Sequence, residues 1–253
     1  MSIEKFSLET VLSVQRWTDT LFSFTMTRPA HFKFSAGQFA RIGLKINDEL
    51  IVRAYSVVSS PFDETLEFFS IVVPNGAFTS NLQHLKVGDE IYLEKIPYGF
   101  LTLARYQLPL PRDLWLLATG TGLAPFLSML QDFETWEKYA HIRLVYSVRT
   151  QNELAYVERI QEIAATFGEG HSGFQFIPII TRDSNATLHE RLPILIENGQ
   201  LEHVANLNFD ANHSHIMLCG NPQMVEDTKN ALKARGLSMN RRGEGNIAVE
   251  NYW

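Results

Sequence analysis

Apolar and polar positions alternate with a period of two over residues 5–15, 20–28, 37–44, 50–58, 65–73 and 89–95. That spacing gives a strand one buried and one solvated face. Turn-forming groups separate the runs: Trp17-Thr-Asp-Thr20, Asn47-Asp-Glu49, Pro61-Phe-Asp-Glu64 and Pro74-Asn-Gly76. Six short strands at this spacing predict a small antiparallel barrel over residues 1–103. One helix interrupts it, with Thr79 or Ser80 as the capping residue, Leu82 and Leu85 facing inward and Gly88 closing it. Residues 104–113 contain Leu108-Pro-Leu-Pro111, which suits neither a helix nor a central strand, and read as an extended connector.

From residue 114 the rhythm changes to strand, helix, strand, helix. Strands are expected at 114–119, 142–149, 174–181, 215–219 and 246–250. Between them Leu154, Val157, Ile160, Ala164 and Phe167 recur at helical spacing, as do Met224, Thr228, Ala231 and Leu232. Leu114 to Ala118 are apolar without alternation, as a central parallel strand must be when helices cover both faces. The expectation is therefore two domains: a six-stranded antiparallel β-barrel, then an α/β parallel-sheet unit of the nucleotide-binding type over 114–253.

Composition narrows the function classes. The 253 residues carry a net charge of −6, which argues against nucleic-acid binding through overall charge. No apolar run of about 18 residues exists, so no membrane insertion is expected. The first nine residues carry acids and no apolar core, so a signal peptide is not expected and the cytoplasm is the default compartment. Cys219 is the one cysteine, which excludes an internal disulfide and a cysteine-ligated iron–sulfur cluster.

Two stretches carry candidate chemistry. Thr119-Gly120-Thr121-Gly122 follows the apolar strand, and Pro125 suits the first turn of a helix. Such a turn fits either a phosphate at a helix start or a merely tight reversal; Pro125 stands where the dinucleotide fingerprint has its third glycine. In the barrel, Arg53-Ala-Tyr-Ser56 offers a guanidinium fork, a flat ring and a small hydroxyl. It reads equally as a solvent-side arginine beside a half-buried tyrosine. Asn75-Gly-Ala-Phe-Thr-Ser80 then leads into the barrel's helix.

Taken in order, Arg53-Ala-Tyr-Ser56, Gly76-Ala-Phe-Thr-Ser80, Gly120-Thr-Gly-Leu-Ala-Pro125 and Cys219-Gly-Asn-Pro222 resemble the ferredoxin–NADP+ reductases, the bacterial type most closely. The resemblance implies an FAD-binding barrel and an NADP-binding α/β domain. It puts Arg53 on the FAD pyrophosphate and Tyr55 on the flavin, with Ala54 and Ser56 alongside. A second FAD segment falls on Phe69, Ser70 and Ile71 and on Ala77, Phe78 and Thr79. The glycine turn falls on Thr119, Gly120, Thr121 and Gly122, and the nicotinamide-side turn on Cys219, Gly220, Asn221 and Pro222. Ser56, Cys219 and Glu250 match the family's catalytic group around the reacting carbon and flavin N5. Tyr252 and Trp253 match its terminal aromatic cover. The implied activity is electron transfer between NADP(H) and ferredoxin or flavodoxin; reduction of free flavin as a substrate is the alternative.

Arg149, Thr181, Arg182 and Arg191 fall at strand ends on the ligand side of such a sheet, and cations there favour a 2′-phosphate and so NADP. Arg182 next to Asp183, and Arg191 next to Glu190, also fit surface ion pairs. An acidic carrier needs a local basic surface, for which Lys229, Lys233, Arg235, Arg241 and Arg242 are candidates, although such a run also fits a solvated face. Cys219 has no adjacent histidine in sequence and reads as a small buried hydrophobe that shapes the pocket. His213 and His215 lack a third ligand near by, so no metal is expected. A monomer is expected.

Overall fold

The computed structural model describes residues 3–106, 112–168 and 173–251. Tyr252 and Trp253 lie outside these residues, as does the core of the expected connector. The first sheet is antiparallel and six-stranded: β1 (Phe6–Arg16), β2 (Leu21–Thr27), β3 (Phe39–Ile46), β4 (Glu49–Ser56), β5 (Thr65–Ile71) and β6 (Glu90–Glu94), in the order β4-β3-β6-β1-β2-β5. Its edges approach each other. Val57 bridges Phe68, and Val58 N–H donates to the Glu67 carbonyl at 2.9 Å, so the sheet curls into a barrel. Alternation buries Val11, Phe22, Phe24, Met26, Ile42, Leu66, Phe68 and Leu93 inside it.

The barrel's helix, α1 (Thr79–Leu82), departs from expectation. Phe78 occupies the N-cap, and neither Thr79 nor Ser80 caps. Both hydroxyls are spent on the approach loop: Thr79 Oγ1 accepts from Val73 N–H at 3.0 Å, and Ser80 Oγ donates to the Gly76 carbonyl at 2.6 Å. The helix ends at Leu82, well before Gly88. Leu82 and Leu85 are buried.

The second sheet is parallel, in the order β11-β10-β7-β8-β9: β7 (Asp113–Thr119), β8 (His141–Val148), β9 (Phe174–Ile180), β10 (Ser214–Gly220) and β11 (Ile247–Asn251). Leu114 to Ala118 on the central strand are wholly inaccessible, with apolar side chains packed on both faces. The expected helical repeats form α4 (Val157–Phe167) and α7 (Pro222–Ala234). Four further helices complete the unit: α2 (Ala124–Leu130), α3 (Phe133–Lys138), α5 (Leu192–Glu197) and α6 (Gln200–Ala205). One apolar cluster joins Leu21, Val58 and Phe69 of the barrel to Phe126, Leu127 and Tyr156 of the α/β unit, so the seam is a core in its own right. Among the described residues no helix is long and apolar enough to cross a membrane.

Candidate nucleotide and flavin site

At the carboxyl end of the parallel sheet, two connections lock together. After β7 the chain makes a 3-10 turn, Gly120–Leu123, before α2 begins. A Cβ on Gly122 would lie 2.3 Å from the Cys219 carbonyl oxygen, and one on Gly220 2.3 Å from Thr119 Oγ1. Both glycines are therefore required by backbone packing between β7 and β10. Thr119 Oγ1 also accepts from Asn221 N–H at 3.0 Å, and Asn221 Oδ1 caps α7 by accepting from Gln223 and Met224 N–H. Gly120 differs. Its φ is +51°, and a Cβ there would meet nothing within 4 Å. The open side faces a cavity.

That cavity has a volume of about 1410 Å³ and runs across the seam. It exceeds what a drug-sized ligand needs, roughly 300–1,000 Å³, and suits a dinucleotide with a second nucleotide beside it. The barrel wall includes Arg53, Ala54, Tyr55 and Ser56, then Phe69, Ser70 and Ile71, then Ala77, Phe78 and Thr79. The Tyr55 hydroxyl pairs with Ser70 Oγ at 3.0 Å, and its ring packs 6.0 Å from Phe78 and edge-on to Phe68. Burial pushes the Tyr55 phenol up to about 12, so it stays neutral. Arg53 is exposed and gives one N–H to the Val52 carbonyl at 2.8 Å.

The α/β wall includes Thr119, Gly120 and Thr121, Gly220 and Asn221, and Arg149, Thr181, Arg182 and Arg191. The arginines are not equivalent. Arg149 is held by Glu153, which takes its Nε at 3.0 Å and also its backbone N–H at 2.9 Å. Neither Asp183 nor Glu190 pairs with its neighbour: among the described residues, Arg182 and Arg191 make no side-chain hydrogen bond or ion pair. Gly122, Cys219 and Pro222 do not line the cavity. Cys219 is wholly buried, its strand register placing it between Ala118 and Glu250.

Glu250 reaches the cavity from the edge strand and accepts from Ser56 Oγ at 3.0 Å, joining two residues 194 positions apart. Burial raises its carboxyl from 4.5 to about 7, partly offset by the Ser56 hydrogen bond. Of the other sequence candidates, His213 is exposed against Asp210, and His215 is buried against Tyr139. Burial lowers His215 to about 3 and keeps it neutral. In α7 and at its end the basic run is partly neutralised, since Lys229 pairs with Glu226 and Arg235 with Glu202.

Sequence reasoning missed Tyr156. This buried residue has a left-handed backbone, φ 64°, just before α4. Its hydroxyl donates to Glu67 Oε1 at 2.6 Å across the seam, and its ring meets Trp17 at 4.6 Å and Phe69 at 5.0 Å. Burial raises the Glu67 carboxyl above its ordinary range.

Both halves match family models: an oxidoreductase FAD-binding domain over residues 6–102, and an oxidoreductase NAD-binding domain over 116–230. A ferredoxin–NADP reductase A of Sorangium cellulosum is 42% identical over 251 residues, covering 97% of this chain and 89% of its own. This chain belongs to the ferredoxin–NADP reductase family. Another member, the flavodoxin/ferredoxin–NADP reductase of Escherichia coli, is 40% identical over 96% of this chain and 97% of its own. A crystal structure of a ferredoxin–NADP+ reductase from Neisseria gonorrhoeae with bound FAD and NADP superposes with a TM-score of 0.90. It is 35% identical and covers 98% of each chain. The family's two-nucleotide chemistry accounts for a cavity that crosses the seam, and the residues present fit both groups.

Proposed function

We infer that the protein moves electrons between NADP(H) and ferredoxin or flavodoxin through a bound FAD. The observation that carries this is the single cavity with Arg53 and Tyr55 on one wall and Arg182 and Arg191 on the other. Bound FAD supplies the chemistry that no side chain can: it exchanges a hydride with nicotinamide and single electrons with a protein carrier. Each NADPH oxidised leaves NADP+ and one proton, and reduces two one-electron carriers.

The protein's own work is placement. Arg53 meets the FAD pyrophosphate, a charge-assisted contact, while the Tyr55 ring, fixed by Ser70, stacks on the flavin. Phe69, Ser70, Ile71, Ala77, Phe78 and Thr79 complete that wall. Thr119, Gly120, Thr121, Gly220 and Asn221 admit the nicotinamide nucleotide. Arg182 and Arg191, unengaged by carboxylates, receive its 2′-phosphate, with Arg149 held beside them by Glu153. Ser56 and Glu250 flank the reacting carbon, and Glu250 holds a proton on its carboxyl near neutral pH. Cys219, wholly buried beside Glu250 in the strand register, shapes the pocket from behind and forms no covalent bond. The reading has a monomer working in the cytoplasm.

The test is direct. Purified protein incubated with FAD and gel-filtered should remain yellow, and anaerobic NADPH should then reduce a ferredoxin or a flavodoxin. If FAD is lost while NADPH oxidation is driven by free flavin, the protein is instead a flavin reductase.

A further inference from the structure

The loop between β9 and α5 folds back on its own start. Ile180 N–H donates to the Leu188 carbonyl at 3.0 Å, and Arg182 N–H to the Arg149 carbonyl at 2.9 Å. Between Ile180 and Leu188 the chain turns at Asp183. Its Oδ1 accepts from Asn185 N–H at 2.9 Å, and its carbonyl accepts from Ala186 N–H at 3.1 Å. Leu188 and Leu192 are buried, while His189, Glu190 and Arg191 are exposed and line the cavity. The return therefore brings an imidazole to the end of the cavity that holds Arg182 and Arg191.

That imidazole has a fixed polarity. His189 Nδ1 lies 3.2 Å from the Ala186 carbonyl oxygen. A carbonyl only accepts, so Nδ1 carries a proton and the neutral ring presents Nε2 as a bare lone pair. Among the described residues no side chain pairs with Nε2. A neutral ring turns a lone pair toward a phosphate oxygen; a protonated one offers it a charged donor. The surrounding charge favours the second state. Arg149, Arg182 and Arg191 share that end of the wall with Glu153 and Glu190, and Asp227 lines the cavity from α7, where Gln223 Nε2 donates to it at 2.8 Å. Arg53 and Glu250 line it from the barrel and from β11. The carboxylates offset the guanidinium groups, whereas a 2′-phosphate brings about two negative charges.

We propose that protonated His189 is a further ligand of the 2′-phosphate, so that NADP(H) binding takes up a proton at Nε2 and NAD(H) binding does not. The proposal rests on the function inferred above, in which Arg182 and Arg191 receive that phosphate, and adds a titrating member to the set. Linkage sets the sign: the complex keeps a proton that the free protein releases as pH rises, so preference for NADPH falls. The second ionisation of the phosphate, at about pH 6, is nearly complete above neutrality and adds little slope there. Glu250, whose carboxyl titrates near 7, stands at the β11 edge and meets both cofactors alike, so it cancels in their ratio.

The experiment measures kcat/KM of the FAD-loaded protein for NADPH and for NADH from about pH 6 to 9, with ferricyanide as acceptor. Above neutrality the wild-type ratio should fall roughly tenfold, the worth of one charged hydrogen bond discounted for solvent. His189→Ala should lower the ratio by about that factor at the acid end and flatten its descent. His189→Lys, charged throughout, should restore the ratio and hold it across the range. Calorimetric titration with NADP+ at about pH 8, in buffers of differing ionisation enthalpy, should show proton uptake by wild type that both variants lack. A residue that merely shaped the loop would move neither the pH slope nor the proton count. A wild-type ratio that stays flat above neutrality, or proton uptake that survives His189→Ala, overturns the proposal. If preference for NADPH is lost in Arg182→Ala with Arg191→Ala yet ignores His189→Ala, the imidazole's part alone falls. A wild type without preference for NADPH at any pH refutes the reading of the arginine end, and the proposal with it.

Discussion

Replacing Glu250 by Gln isolates the electrostatic cost of the buried carboxyl that meets Ser56 at the cavity wall. The glutamine keeps the shape and still accepts from Ser56 Oγ, so the hydrogen bond of 3.0 Å survives while the charge does not. In the folded protein the carboxyl titrates near 7 because it is buried; its ordinary value is 4.5. Between those values the native state holds a proton that the unfolded chain has released, so wild-type stability falls as pH rises. The loss starts near pH 4.5, is complete above about pH 7, and amounts to about 3 kcal/mol at about 1.36 kcal/mol per unit. Urea unfolding of FAD-free wild type and Glu250→Gln over pH 4.5–8.5 should give curves that converge at the acid end. Above pH 7 the variant should be the more stable, by an amount approaching that figure. Taking the difference between the two proteins cancels every titration they share. Parallel curves across the range would mean that the carboxyl is solvated at the cavity wall, and the proton-holding role given to it would fall.

Two further outcomes follow from the same geometry. Arg182→Ala with Arg191→Ala should lower the preference for NADPH over NADH by roughly ten- to a hundredfold. Each charged hydrogen bond is worth about 1.5–3 kcal/mol, less where solvent screens it; steady-state kinetics with both cofactors decide, and equal losses for the two would place the arginines elsewhere on the ligand. Tyr156→Phe should cost about 1–3 kcal/mol by leaving the mostly buried Glu67 without its phenol donor, a fall of several degrees in thermal midpoint. An unchanged midpoint would show that Ser23 or water already satisfies that carboxylate.

What the sequence carried was periodic or chemically singular. The barrel strands follow from alternation, and the central strand from Leu114 to Ala118 from its lack of it. Gly120 and Gly122 mark a turn after that strand, but their two roles, one facing the cavity and one facing the Cys219 carbonyl, are set by the distant β10 and not by the local sequence. The short helices α5 and α6 escaped because six residues hold under two turns of periodicity, and Pro193 and Gly199 read as breakers. Thr79 and Ser80 looked like caps because cap preference is local, whereas each hydroxyl had a stronger use within the preceding loop. Nothing in the local sequence marks Glu153, whose part lies in holding Arg149 on the cavity wall.

The seam was the least legible part, and it governs whether two half-sites act as one. Hydride transfer needs the reacting atoms held at about 3–3.5 Å, so a slack interface would waste a good pocket on each side. The chain meets this need close to the ligands. Tyr55 and Ser56 end β4, and the next few residues, 58–60, are fastened to α2 and the residue after it. Gln131 Nε2 donates to the Val58 carbonyl at 2.9 Å, Ser128 Oγ to the Ser59 carbonyl at 2.7 Å, and Ser60 Oγ to the Gln131 carbonyl at 3.2 Å. That helix starts directly after the glycine turn. The strand proposed to stack the flavin and the turn proposed to admit the nicotinamide nucleotide are thus tied through one seven-residue helix and three buried hydrogen bonds. Ser128 and Gln131 sit about 70 residues from their partners, beyond the reach of any local pattern. Ser128 and Gln131 grip the carbonyls of 59 and 58, so there the seam constrains the backbone path and not the side chains, whereas at position 60 the serine hydroxyl itself is the donor.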